Sequence, residues 1–265
     1  MATFPARVDA EVAWLRAVGA TLVVADLPPL GIAAAHAAGI PGVALGNFTW
    51  DWIYDGYAES RDLVNAIGAI YRETTLALRL PMWGGFATMP TVIDLPFVAR
   101  RSTRDPREIR DALGLARDQR LVLSSFGGYG VQGLNVEALR RHAGYRILLP
   151  GDIDETAMYA GGVRYEDLVR AVDVVVTKPG YGIISECLAN NTALLYTSRG
   201  HFVEYDVLVA AMPRFLRAAF IDHADLFAGR WESHLDALLA QAAPPETPDT
   251  DGADVAAIRI LEMGL

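Results

Sequence analysis

The sequence is poor in cysteine, in lysine and in long apolar runs, and each shortage closes off a class of function. Cys187 is the only cysteine among 265 residues, so no intrachain disulfide and no thiolate cluster can form. It follows Glu186 in a helical stretch, a setting that suits a buried structural thiol better than a nucleophile. Lys178 is the only lysine, and the formal charge of −9 leaves no basic surface for nucleic acid. No apolar run approaches the ~20 residues of a membrane-spanning helix, and no charged-then-apolar leader opens the chain. A reducing cytoplasm and no integral membrane segment are therefore expected. The five histidines show no metal-ligand spacing, so no metal is expected. Walker and Gly-x-Ser-x-Gly patterns are missing as well.

What is present is a folded, globular composition, 52% hydrophobic and 21% charged. Apolar stretches alternate with helical periodicity, which predicts an α/β protein with parallel sheets. Helices are expected at 8–18, 30–38 and about 57–74, with strands at 21–25, 42–45 and 76–80. An extended run over 92–101 leads into a polar segment, 102–106, read as a linker. Beyond it, strands are expected at 120–125, 145–149, 172–176, 193–197 and 217–220. Helices fall at 106–113, 133–141, 165–171, 182–189, 202–212 and 230–241. A Pro-rich hinge precedes a last helix over 253–263. The implied domains are 1–104, 105–246 and a C-terminal helix within 247–265.

Four segments follow predicted strands and carry candidate chemistry. The first is Val172-Asp-Val-Val-Val-Thr-Lys-Pro-Gly-Tyr-Gly-Ile-Ile-Ser-Glu-Cys. A buried strand runs into the turn at Gly180, Tyr181 and Gly182, which opens a helix carrying Ser185 and Glu186. Free N–H groups at such a helix start suit an anion, with Lys178 as an extra cation, and Glu186 can accept from a ribose diol. The competing reading of Glu186 is a carboxylate that complements the helix dipole. The second segment, Ser124-Ser-Phe-Gly-Gly-Tyr-Gly, reads either as a phosphate-cradling loop through Gly127 and Gly128 or as a ligand-free turn.

The third, Ser198-Arg-Gly-His-Phe-Val-Glu-Tyr-Asp, brings His201, Glu204 and Tyr205 to the same sheet edge. There they either hydrogen-bond a hexose or form an ordinary acidic helix start. In the fourth, Asn47-Phe-Thr-Trp-Asp-Trp-Ile-Tyr, the alternating Trp50, Trp52 and Tyr54 suit packing more than stacking on a sugar. Asp51 among them, and Asp26 at the end of the first strand, are the candidate bases.

Together these segments resemble the two-domain GT-B glycosyltransferases of the MurG-like group. The likeness is carried, in order, by Asp26-Leu-Pro-Pro, Ala38-Gly-Ile-Pro-Gly-Val, Asn47-Phe-Thr-Trp-Asp-Trp-Ile-Tyr, Val92-Ile-Asp-Leu-Pro-Phe-Val-Ala-Arg-Arg and Lys178-Pro-Gly-Tyr-Gly-Ile-Ile-Ser-Glu-Cys-Leu-Ala. The nearest likeness is to the glycosyltransferase-like N-terminal region of L-arabinokinases. The resemblance implies two Rossmann-like domains and a C-terminal domain that binds a nucleotide-sugar donor, usually a UDP-sugar, with no cofactor. It implies that Gly127 and Gly128 approach the diphosphate, Glu186 binds the ribose, and Glu204 and Tyr205 contact the donor sugar. The final helix is expected to return to the first domain.

That family begins with a strand and a Gly-His-rich loop, and nothing like them precedes Asp26. The N-terminal domain is thus expected to be incomplete, leaving the strand at 21–25 with an unpaired edge that a second chain or another copy would cover. A transferase acting on an unknown acceptor, a binding or regulatory module without turnover, and a sugar-nucleotide 2-epimerase all stay open.

Overall fold

The structure is a computed structural model and describes residues 3–57, 61–126 and 131–263. Its first elements are α1 (Phe4–Ala17), β1 (Val23–Ala25), α2 (Pro29–Ala38), β2 (Gly42–Phe48), α3 (Trp50–Asp55), α4 (Arg61–Tyr71), β3 (Leu76–Gly84) and β4 (Val92–Asp94). Then come α5 (Pro106–Ala112), β5 (Arg120–Ser124), α6 (Val136–Arg140), β6 (Tyr145–Leu148), α7 (Glu155–Ala160), α8 (Tyr165–Ala171), β7 (Val174–Thr177) and α9 (Tyr181–Ala189). The chain closes with β8 (Ala193–Tyr196), α10 (Val203–Ala211), β9 (Ala218–Phe220), α11 (His223–Ala228), α12 (Glu232–Leu239) and α13 (Gly252–Leu261).

The chain divides into two compact units, Met1–Val98 with Asp249–Leu265, and Ala99–Pro248. In the first, four parallel strands run in the order β1-β2-β3-β4. Connections that always step the same way put their helices on one face of the sheet, because parallel crossovers are right-handed. Ala25, Ala44 and Ala77 of the three strands accordingly share a core with Ile32 of α2 and Ile67 and Tyr71 of α4. Helix α2 opens on Pro29 and closes on Gly39 at φ 75°, a left-handed stop that favours glycine. Strand β1 pairs with β2 alone, and Val24 at this edge is 49% exposed.

Two expectations need correction. The helix expected over about 57–74 is α4, Arg61–Tyr71, but a separate helix that was not expected, α3, precedes it: the aromatic cluster itself is helical from Trp50, after Thr49 in extended backbone. In a helix Trp50, Trp52 and Tyr54 do not share one face. Trp50 and Tyr54 pair with ring centroids 5.9 Å apart. Trp52 lies over Gly84, where any Cβ would collide with its ring. The three rings therefore form no common stacking platform.

The second correction concerns 102–106. Ser102 is buried in the second unit, where its N–H donates to Asn190 Oδ1 at 2.9 Å and its hydroxyl to Asp167 Oδ1 at 2.5 Å. The boundary falls at Val98/Ala99, before those ties begin. At the far end, Phe97 N–H donates to Asp249 O at 3.1 Å and Gly252 N–H to Phe97 O at 3.0 Å. These bonds hold the return of the chain, and α13 with it, to the first unit.

The second unit has five parallel strands in the order β6-β5-β7-β8-β9. Strand β7, Val-Val-Val-Thr, is buried throughout, as a central strand covered on both faces must be. The core adds Tyr145, Leu195, Trp231 and Leu235. The strand order reverses between β5 and β7. At such a reversal the following connections leave toward opposite faces and open a crevice beyond the carboxyl ends of the strands.

Candidate functional site

The segments after β5 and β7 meet at this reversal, where Ser125 N–H donates to Val176 O at 3.0 Å. Gly127 and Gly128 follow immediately in sequence but lie outside the described residues. After β7, Lys178 is exposed and Pro179 buried, and α9 begins. Its N-cap is Gly180, and no side chain caps its first turn. Four other helices of this unit are capped by Asp105, Asn135, Asp154 and Asp222. Helices α10 and α12 also start without a side-chain cap. What sets α9 apart is its place at the strand-order reversal, where the N–H groups of Gly182 and Ile183 and the positive end of the helix dipole suit an anion.

The glycines serve space here and not backbone freedom. Gly180 is extended at φ −152°, which any residue adopts. Gly182 is helical, and a Cβ on it would meet nothing within 4 Å. Among the described residues, a side chain there would therefore project into open space beside the helix start.

Glu186 lies one turn further along and is 7% exposed. Burial pushes its carboxyl above the usual range, partly opposed by Arg100 and reinforced by Glu166. Arg100 Nε donates to Glu186 Oε1 at 2.5 Å, and Nη2 contacts the same oxygen. Arg100 Nη1 lies 4.0 Å from Glu166 Oε2, and the guanidinium sits 5.7 Å over the Tyr165 ring. The Tyr165 hydroxyl in turn meets Ser125 Oγ at 2.7 Å. One network therefore joins the ends of β5 and β7 around Glu186.

Ser185 does not face this network. It is buried, and its hydroxyl donates to Gly182 O at 3.0 Å, an internal helix bond. Cys187 is fully enclosed, and burial drives its thiol far above its usual range, consistent with a structural thiol.

The segment after β8 is tied to the same turn through Arg199. Its Nη1 donates to Pro179 O at 3.3 Å and to Glu204 Oε2 at 3.5 Å, and its guanidinium lies 4.2 Å over Phe202. Glu204 is buried, Tyr205 is half-buried with its hydroxyl pKa raised by burial, and His201 is exposed. Tyr181 is half-buried at the first position of α9. Two strand-end hydroxyls at this edge, Ser124 Oγ and Thr197 Oγ1, are buried without a hydrogen-bond partner among the described residues.

In the first unit, Asp51 is buried and engaged. Trp52 N–H donates to its Oδ1 and Thr88 Oγ1 to its Oδ2, each at 2.9 Å. Asp26 is exposed at the end of β1. The same unit holds a cavity of about 500 Å³ lined by Phe4, Pro29, Trp50, Tyr54, Leu63 and Ile67. Among the described residues no cluster of acidic, His or Cys side chains forms a metal site, and no helix is long and apolar enough to cross a membrane.

Arg100, Tyr165, Glu166 and Arg199 were not singled out as site residues by the sequence reading. Arg100 lies in the Phe-Val-Ala-Arg-Arg stretch that carries part of the family resemblance. Its role depends on a contact across 86 residues that no local pattern reveals.

No protein-family model matches the chain. It is 30% identical over 242 residues to L-arabinokinase of Arabidopsis thaliana, covering 86% of this chain and 23% of that protein. The chain thus spans less than a quarter of that relative. Among solved structures, it matches glycosyltransferase VinC in complex with dTDP at a TM-score of 0.54 and 18% identity, over 89% of this chain and 68% of that one. Arabidopsis thaliana UGT89C1 complexed with UDP matches at 0.54 and 14%, over 91% and 70%. Glycosyltransferase SnogD from Streptomyces nogalater matches at 0.50 and 18%, over 97% and 76%. The fold is that of the GT-B glycosyltransferases, with two parallel-sheet Rossmann-like units.

Proposed function

We propose that the second unit binds a nucleotide-sugar donor and that the chain serves glycosyl transfer from it. The observation that carries this reading is the uncapped start of α9 at the strand-order reversal, with open space over Gly182 and the Glu186 carboxylate one turn away. A diphosphate suits the N–H groups and Lys178, while a ribose hydroxyl suits Glu186. Glu204, linked to this turn by Arg199, and its neighbour Tyr205 are assigned to the donor sugar on the family resemblance. Gly127 and Gly128 are assigned to the diphosphate on the family resemblance. VinC and UGT89C1 are solved with dTDP and UDP, which supports a nucleoside diphosphate as the ligand class.

The chemistry would be displacement at the anomeric carbon. An acceptor hydroxyl oxygen forms the new C–O bond as the bond to the diphosphate breaks, and that electron pair leaves on the diphosphate. Helix N–H groups and Lys178 stabilise the departing charge, and a carboxylate takes the acceptor proton. Asp26 is the better candidate base, because both oxygens of Asp51 already accept hydrogen bonds. The ring-lined cavity of the first unit suits an apolar acceptor, and UGT89C1 is also solved with quercetin.

A binding module without turnover is the second reading, favoured by the structural engagement of Asp51. Titration calorimetry with UDP and dTDP, followed by donor hydrolysis and transfer assays, tests both. Binding with turnover is expected. Binding without turnover over a broad acceptor screen selects the module, and no binding of either nucleotide sinks both readings.

A further inference from the structure

Arg100 is not a loose surface arginine. Asn190 is buried and donates through Nδ2 to Arg100 O at 3.0 Å, while its Oδ1 accepts from Ser102 N–H at 2.9 Å. One side-chain amide thus fixes the backbone on both sides of residue 101, which aims Arg100 at α9. The guanidinium then spends Nε and Nη2 on a single atom, Glu186 Oε1. A carboxylate oxygen has two lone-pair sites, so both sites of Oε1 are filled. Oε2 accepts no hydrogen bond among the described residues.

A ribose diol that docks on a carboxylate in the two-toothed manner gives one hydroxyl to each oxygen, and Oε1 is closed to it. We propose that Arg100 is a specificity-determining residue: it competes with the ligand diol for Glu186 and leaves room there for one ribose hydroxyl. The inference rests on the nucleotide reading above. It implies that the protein scarcely distinguishes a ribonucleotide from its 2′-deoxy counterpart, and that removing Arg100 creates the distinction. The Arg100 side chain is 61% exposed, so it can be replaced without opening the core.

The test is calorimetry at pH 8 with UDP and 2′-deoxy-UDP on the whole chain, comparing wild type with Arg100→Met. Wild type is expected to bind the two ligands within about twofold of each other. Arg100→Met is expected to bind UDP roughly ten- to a hundredfold more tightly, with 2′-deoxy-UDP little changed, since that is what one more hydrogen bond to a charged group is worth. Should Arg100→Met misfold, Arg100→Lys keeps the charge without the paired donors and shifts UDP the same way by less. Weaker or unchanged UDP binding in the variants overturns the inference and leaves the nucleotide reading standing. So does a wild type that already prefers UDP tenfold. Failure of every form to bind either nucleotide removes the nucleotide reading and this inference with it.

Discussion

The two units end their parallel strands in different states of satisfaction. In the first, the aromatic and acidic residues that follow β2 are used by their own surroundings. Asp51 holds Trp52 N–H and Thr88, Trp52 covers Gly84, and Tyr71 donates to Leu27 O at 2.6 Å. The orphaned hydroxyl there, Thr74, lies before β3, at the opposite edge from Asp51. In the second unit, the ends of β5 and β8 carry the hydroxyls of Ser124 and Thr197, which are buried without a partner among the described residues. A buried polar group without a partner is costly, so a cluster of them at one edge marks a place where a ligand completes the bonding. Residue type alone would have ranked the two edges alike; unmet bonding separates them.

The contrast breaks most visibly at Glu186. Replacing it with Ala removes a charge-assisted acceptor worth about 1.5–3 kcal/mol and is expected to weaken UDP binding roughly ten- to a hundredfold, read by calorimetry. An unchanged affinity would move the ribose elsewhere. Asp51→Ala is expected to do the reverse. It costs about 1–3 kcal/mol of stability in denaturant melts, because two donors lose a buried acceptor, and leaves UDP binding in the second unit intact.

Gly182→Ala sharpens the comparison further. Alanine in a helix is favoured over glycine by about 0.8–1 kcal/mol, so the melting midpoint should rise. The added methyl enters open space beside the helix start, so nucleotide affinity should fall. A gain in both would mean that the space over Gly182 holds no ligand.

The smallest effect is on pH. Glu186 accepts a hydroxyl more strongly when ionised, and burial raises its pKa, so UDP affinity should fall on acidification before an ordinary glutamate near 4.5 would protonate. For stability the sign is opposite. The protonated form is the one favoured by folding, so this contribution is present below the unfolded-state pKa and lost as pH rises through the folded one. Glu186→Gln should therefore flatten that part of the stability profile, as melts from pH 4 to 8 would show.

Much of the architecture was legible in the chain because apolar runs and turn residues are local. Val174–Thr177, the Gly-Tyr-Gly turn and Glu186 could be placed on a strand, a turn and a helix before any coordinates. Strand order was not legible, and it is the order β6-β5-β7 that puts the loops after β5 and β7 side by side. The helix over Trp50–Asp55 was not legible, because an alternating aromatic run carries no helical periodicity, although packing was the favoured reading of its rings. Ser102 looked like linker because its neighbours are polar. Its partners, Asp167 and Asn190, lie 65 and 88 residues away. Ser185 sat in the right motif but points its hydroxyl back at Gly182 O.

The most direct measurement is an NMR titration of ¹⁵N-labelled protein with UDP, following the backbone amides of Gly182 and Ile183 against those of Trp52 and Phe86. The account predicts that the two α9 amides shift with ligand and saturate together, while the pair in the first unit stays in place. Shifts confined to Trp52 and Phe86, or none at all at millimolar UDP, would contradict it.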